Sequence, residues 1–270
     1  MSTPTLREET AGGLTFLTDP EAAPVRFGFT ERAGGVSEGP WASLNLGDAC
    51  GDDPEAVAEN RTRALRALGY EGEPSRLVNP KQVHGYKVLV VDAADAAHLA
   101  AFQKEARSGL DAVVCTACGI PVLLCYADCV PVVLTAPRGF AVIHSGWRGT
   151  IAKISAKALA ALCQAADVAP SDVHAYIGPH IAGADYEVSR ELLDRFEEAF
   201  GAGVALPERH LDLAAAIEST LLEAGMDEGS ICDCGISTAQ ETDRFYSYRA
   251  SGGTCGRHGA LAFIETCARP

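Results

Sequence analysis

Residues 111–150 read DAVVCTACGIPVLLCYADCVPVVLTAPRGFAVIHSGWRGT, and their pattern decides the fold class. Four apolar runs, at 111–115, 121–127, 131–135 and 140–144, follow one another with only turn residues between them. Each is short, β-branched and bounded by Gly, Pro or Asp, as strands are. Consecutive strands without intervening helices favour a mixed or antiparallel α+β sheet over a strictly alternating doubly wound fold. Outward from this block, alternation predicts further strands at 25–30, 86–92, 173–177, 230–235 and 260–264. Helical spacing predicts helices over 53–69, 94–107, 150–166, 189–200 and 211–224, the first opened by Asp53 as N-cap and Pro54 as first helical residue. With no internal repeat, low-complexity tract or linker, the expected organisation is one domain over 25–270 preceded by an N-terminal segment at 1–24.

The 270 residues suffice for a large core without disulfide staples. A hydrophobic fraction of 47% and a charged fraction of 21% fit a folded globule. The formal net charge is −14, from 22 basic and 36 acidic residues. That field repels nucleic acid and anionic lipid, so any anion site has to be a local cluster of cations and backbone N–H groups. The opening twenty residues carry charge and lack the roughly 7–15-residue apolar core of an export signal. The longest apolar run, 119–136, is broken by Pro121, Asp128 and Pro131 and is too short to span a bilayer. A cytoplasmic protein is expected, with its ten cysteines as reduced thiols.

Three stretches carry candidate chemistry. In Ala127-Asp128-Cys129-Val130-Pro131 a charged residue beside a thiol interrupts an apolar run, which needs compensation by a cation or by a hydrogen-bonded turn. In 140–150 a strand ends at His144, followed by Gly146-Trp147-Arg148-Gly149 and a helix that Thr150 is placed to cap. Its N–H groups and Arg148 would form an anion site. In Asn79-Pro80-Lys81-Gln82-Val83-His84-Gly85, His84 is either a surface loop residue or a ligand. Together His84, Cys129 and His144 make a three-ligand set of the kind that holds catalytic zinc with an open fourth position, although their wide spacing is no finger-type signature. Arg61 falls on the apolar face of the helix with Val57 and Leu65, so it pairs with a core carboxylate or lines an anion pocket. The Cys115-x-x-Cys118 pair precedes a strand and not a helix, which argues against a thioredoxin-like role. The run 243–249, with Arg257-His258, reads as a base-stacking and anion-binding wall or as an exposed amphipathic strand.

The motifs Arg32-Ala-Gly34-Gly35-Val36-Ser37, Ser43-Leu44-Asn45-Leu46-Gly47, Gln82-Val83-His84-Gly85, Ala127-Asp128-Cys129, His144-Ser-Gly146-Trp147-Arg148-Gly149, Ile177-Gly178-Pro179, Tyr186-Glu187-Val188 and Phe245-Tyr246-Ser247-Tyr248-Arg249 occur in this order. This set resembles the YfiH family, historically called laccase-domain or multicopper polyphenol oxidoreductase proteins, over about 25–265. Ala184-Asp185 stands where that family usually carries a pair of cysteines. The resemblance implies a four-layer α/β/β/α arrangement and zinc on His84, Cys129 and His144. It further implies phosphorolysis of adenosine, inosine or S-methyl-5'-thioadenosine, with companion adenosine deamination. Its partners would be nucleosides and phosphate, with Arg61, Arg148 and Thr150 placed for phosphate and Asn45 and Gln82 reading hydroxyls or base. Two rival readings are a copper-dependent phenol oxidase on the same ligands and a metal-free Cys–His hydrolase with Cys129 as nucleophile and His144 as base. Seven histidines without a His-x-His pair count against a multicopper site.

Overall fold

The computed structural model describes residues 3–265. In chain order, the first part holds β1 (Arg7–Ala11), β2 (Leu14–Thr18), β3 (Val25–Thr30), α1 (Pro54–Ala67), β4 (Val88–Val91) and α2 (Ala96–Ala106). The central block holds β5 (Ala112–Cys115), β6 (Val122–Tyr126), β7 (Val130–Ala136), β8 (Gly139–Ser145), α3 (Trp147–Ile151) and α4 (Ile154–Ala166). The last part holds β9 (His174–Ile177), α5 (Arg190–Phe200), β10 (Ala205–Leu206), β11 (His210–Leu211), α6 (Leu213–Glu223), β12 (Ile231–Asp233) and β13 (His258–Ile264).

Two sheets form the centre, in orders β1-β2-β3-β13-β6 and β12-β9-β7-β8-β5-β4. The first is antiparallel throughout; the second mixes parallel edges (β4 with β5, β9 with β12) with an antiparallel middle. Phe27, Phe29, Leu124, Val133, Val142 and Tyr176 pack between the sheets. Leu65 and Ala64 of α1 cover the outer face of the first sheet with Phe16, Leu123 and Leu261. Helices α4 to α6 cover the second through Leu159, Leu162, Leu193, Phe196 and Ile217. The result is the expected α/β/β/α stack, in which each element buries its apolar face once.

Consecutive strands do not pair throughout. β6 belongs to one sheet and β7 to the other, so the chain changes sheets at Ala127-Asp128-Cys129, with Asp128 at φ 87°. Pro131, second residue of β7, is tolerated beside the start of that strand, where its missing N–H leaves the ladder nearly intact.

The sequence reading needs three corrections. The segment before residue 25 supplies β1 and β2, a hairpin turned by Gly12 and Gly13, both at positive φ, and paired onto β3. The helix placed from Thr150 is two helices: α3 begins at Trp147 with Gly146 as N-cap, and Lys153 in left-handed conformation separates it from α4. Cys50, Cys115, Cys125, Cys129, Cys163, Cys232, Cys234 and Cys255 are free thiols, whereas Cys118 is disulfide-bonded. Cys115 is fully buried, and burial pushes its thiol up to about 12, so it has no redox-motif character. Among the described residues, no helix is long and apolar enough to cross a membrane.

Candidate metal centre and its cavity

One buried carboxylate organises two of the candidate ligands. Asp111, fully buried at the start of β5, accepts N–H bonds from Val83 (3.2 Å), His84 (2.9 Å) and Gly85 (2.7 Å). The same carboxylate binds His144 Nδ1 at 2.9 Å, and its backbone carbonyl accepts from His144 N at 2.7 Å. One side chain thus fixes the loop carrying His84, itself at φ 58°, and the ring orientation of His144, leaving His144 Nε2 as the free ring nitrogen. Burial opposes ionisation of Asp111, but His144 and the amides of Gly85 and Val83 hold its carboxyl below the usual range.

Cys129 is brought to the same place by the sheet change after β6. Ligand atoms of His84, Cys129 and His144 lie within 4.8 Å of one another, and the two imidazoles meet edge to face with centroids 4.8 Å apart. Burial raises the Cys129 thiol, yet the adjoining imidazoles of His144 and His84 outweigh it and bring it down to about 6. Conversely, burial lowers His144, and Cys129 and Asp111 together lift it to about 9. One thiolate and two imidazoles, the second oriented by a carboxylate, suit a borderline-soft divalent ion. Gly146 permits the approach: a Cβ there would sit 3.0 Å from Cys129 Sγ and 3.1 Å from His84 Cδ2.

These three residues line a cavity of about 820 Å³. Trp147, Tyr186 and Tyr248 give it aromatic walls, and Lys81, Arg107, Arg249 and Arg257 give it positive charge. Arg249 lies over the Tyr186 ring and Arg257 over Tyr248. Asp128 turns out to be the hydrogen-bonded corner: Thr238 Oγ1 and Arg249 N donate to its carboxylate at 2.7 Å each, and it thereby ties the segment 238–249 to the metal-side turn.

The expected substrate contacts are dispersed. Arg148 is exposed, stacks on Trp147 and does not line the cavity. Thr150 is buried, its hydroxyl bonded to Gly146 O and Ser145 Oγ, and it caps nothing. Asn45 is fully buried and holds Gly47, Asp52 and the Arg257 backbone. Gln82 lines the cavity, but its amide exchanges two bonds with the Cys125 backbone as a neighbouring strand would. Arg61 donates to Leu46 O at 2.9 Å and lies 3.6 Å from Asp48, lining an adjoining cavity of about 400 Å³. Asp111 and Arg107 were missed. The signal for Asp111 was a lone acid opening an otherwise apolar strand, whereas Arg107 carries no local signal, being the C-cap of an ordinary surface helix.

A mixed α/β sandwich with a thiolate–imidazole trio on a cavity floor defines the class. The family model described as multi-copper polyphenol oxidoreductase laccase matches residues 26–265. A purine nucleoside phosphorylase of Deinococcus radiodurans is 37% identical over 93% of this chain and 94% of its own length. Another from Corynebacterium glutamicum is 35% identical over 91% and 97%. The crystal structure of YlmD from Geobacillus stearothermophilus superposes with a TM-score of 0.82 at 31% identity, covering 93% of this chain and 96% of that one. That of YfiH from Bacillus licheniformis gives 0.83 at 26%, covering 94% and 97%. The chain belongs to this laccase-domain, or YfiH, family.

Proposed function

We propose that the chain is a zinc-dependent purine nucleoside phosphorylase acting on adenosine, inosine and S-methyl-5'-thioadenosine, with companion adenosine deaminase activity, working in the cytosol. The carrying observation is the convergence of His84, Cys129 and His144 on the floor of a cavity walled by aromatic rings and cations. The names of the relatives support the reaction class.

The donor set fits zinc, with His84, Cys129 and the Nε2 of His144 as its protein ligands. Bound there, the ion would supply Lewis-acid polarisation of a substrate oxygen. The rest of the work falls to the chain itself. Phosphorolysis breaks the bond from the anomeric carbon to the base nitrogen and forms one to a phosphate oxygen, while positive charge develops on the ribose. Tyr186, Tyr248 and Trp147 offer flat faces for base and sugar, and Ile181 and Leu213 keep that wall dry. Asp111 holds His84 and His144 in position without entering the cavity. The cations at the cavity wall offset the charge of a phosphate nucleophile.

A copper phenol oxidase on the same ligands, suggested by the family description, requires further copper sites. Among the described residues this trio is a single cluster, with no His-x-His pair to build another. The decisive measurement incubates protein of known metal content with adenosine, inosine or S-methyl-5'-thioadenosine, with and without phosphate. Phosphate-dependent release of free base is expected, with about one zinc per chain. Copper near one equivalent, with phenol turnover and no base release, overturns the proposal.

A further inference from the structure

The phosphorylase reading leaves open where phosphate sits, since neither Arg148 nor Thr150 reaches the cavity. A second cluster spans that cavity and its smaller neighbour. The turn Leu46-Gly47-Asp48 draws three arginines to one place. Arg61 Nε donates to Leu46 O, and the Arg257 side chain lies so close over Gly47 that a Cβ there would be 2.7 Å from its Cγ. Arg107 Nη1 reaches Asp48 Oδ2 at 3.0 Å, and Arg61 Nη2 lies 3.6 Å from the same oxygen.

Two guanidinium groups, those of Arg61 and Arg107, therefore share one carboxylate. Among the described residues Arg257 makes no ion pair, its guanidinium donating to the carbonyls of Cys255 and Gly256 and to Cys255 Sγ. Arg61 Nη2 is buried and has no hydrogen-bond acceptor. The amide oxygen of Asn79 is likewise buried without a donor, and Asn79, with Asp48 and Arg107, lines both the large cavity and its smaller neighbour. An unmatched buried donor, an unmatched buried acceptor and surplus positive charge are costly in the absence of a ligand. Together they fit a small tetrahedral oxyanion that still carries one proton, and guanidinium forks suit its geometry.

Resting on the phosphorylase reading, we propose that inorganic phosphate binds against the Leu46–Asp48 turn, between Arg61, Arg107 and Arg257, with Asn79 Oδ1 accepting a hydrogen bond from its remaining P–OH. The nucleoside then occupies the metal end of the same cavity. Asp48 holds Arg61 and Arg107 in the absence of the anion and shares them with it when bound.

The test combines steady-state phosphorolysis of inosine with calorimetric titration of inorganic phosphate, on wild type, Arg107→Gln, Arg61→Gln and the exposed charge control Arg190→Gln. Thermal melting establishes that each variant is folded. Arg107→Gln and Arg61→Gln are expected to weaken phosphate binding and raise its KM roughly tenfold to a hundredfold, as for a lost charge-assisted bond, with the KM of inosine little changed. A phosphate KM unaltered in both, in an enzyme that does phosphorolyse inosine, overturns this subsite and leaves the function standing. Should wild type release no base with phosphate, the function fails, and calorimetry still decides the subsite. Phosphate binding lost in Arg107→Gln upholds it; absence of phosphate binding overturns it.

Discussion

Asp111 shows how much a single buried side chain sets. Replacing it by Asn keeps the shape but turns half the acceptor into a donor facing backbone N–H groups that also donate. Asp111→Asn is expected to lower metal affinity by roughly 10–100-fold, measured by chelator competition, because both the His84 loop and the His144 ring lose their anchor. His258 gives a second residue-level prediction. It is fully buried between Tyr126 and Phe245, and neither ring nitrogen has a hydrogen-bond partner of normal geometry. Burial drops it from 6.5 to about 3 against the opposing effect of the Pro179 backbone, and the charges of Arg257 and Arg32 lower it further. A folded-state value depressed in this way means that the unfolded chain binds a proton the folded chain refuses. The stability present above pH 6.5 is lost progressively as pH falls toward 3, by on the order of 5 kcal/mol if the full shift is realised. His258→Phe should flatten that acid limb in denaturant melts from pH 7 to 4. An unchanged slope would assign acid sensitivity elsewhere.

At the scale of elements, the site is made by interruptions of regular structure. The chain leaves one sheet and enters the other at Ala127-Asp128-Cys129, and β8 runs into α3 across Gly146. The sequence marked both places, the first by Asp beside Cys in an apolar run and the second by glycines around Trp147. It misplaced the helix start because Thr150 is a good cap and Gly146 a mediocre one, so local propensity pointed one turn too late. The break at Lys153 has no local signature either, since Lys is an ordinary helix former. Gly146 has a packing role: Gly146→Ala should fold, with melting little changed, yet lose roughly tenfold in metal affinity as the new methyl displaces Cys129 or His84. Wild-type affinity in that variant would show that the trio does not close as tightly as the free chain suggests.

Across the whole molecule, stability resides between the two sheets. Phe27 is fully buried there, with its ring 4.6 Å from Tyr176 across the interface and 5.8 Å from Phe29. Phe27→Ala should cost roughly 3–5 kcal/mol and lower the melting temperature by on the order of 10 °C, while metal affinity of the folded protein stays within a factor of about two. The charge pattern is equally global. A net −14 coexists with Lys81, Arg107, Arg249 and Arg257 around one cavity, so the anion-attracting region is local against an overall repelling field.

The sequence by itself determined the strand-rich mixed class, most element positions and the three metal-side residues, because those depend on short-range periodicity and on residue chemistry that is conspicuous in an apolar setting. Tertiary structure alone decided that β6 and β7 lie in different sheets, that residues 7–18 complete one of them, and that Arg61, Arg107 and Arg257 meet at one turn. Arg61 and Arg257 were each conspicuous in the sequence and Arg107 was not, but nothing along the chain joins the three. Their meaning comes from distances set by how two sheets and their helices pack, and periodicity along the chain carries no record of such distances.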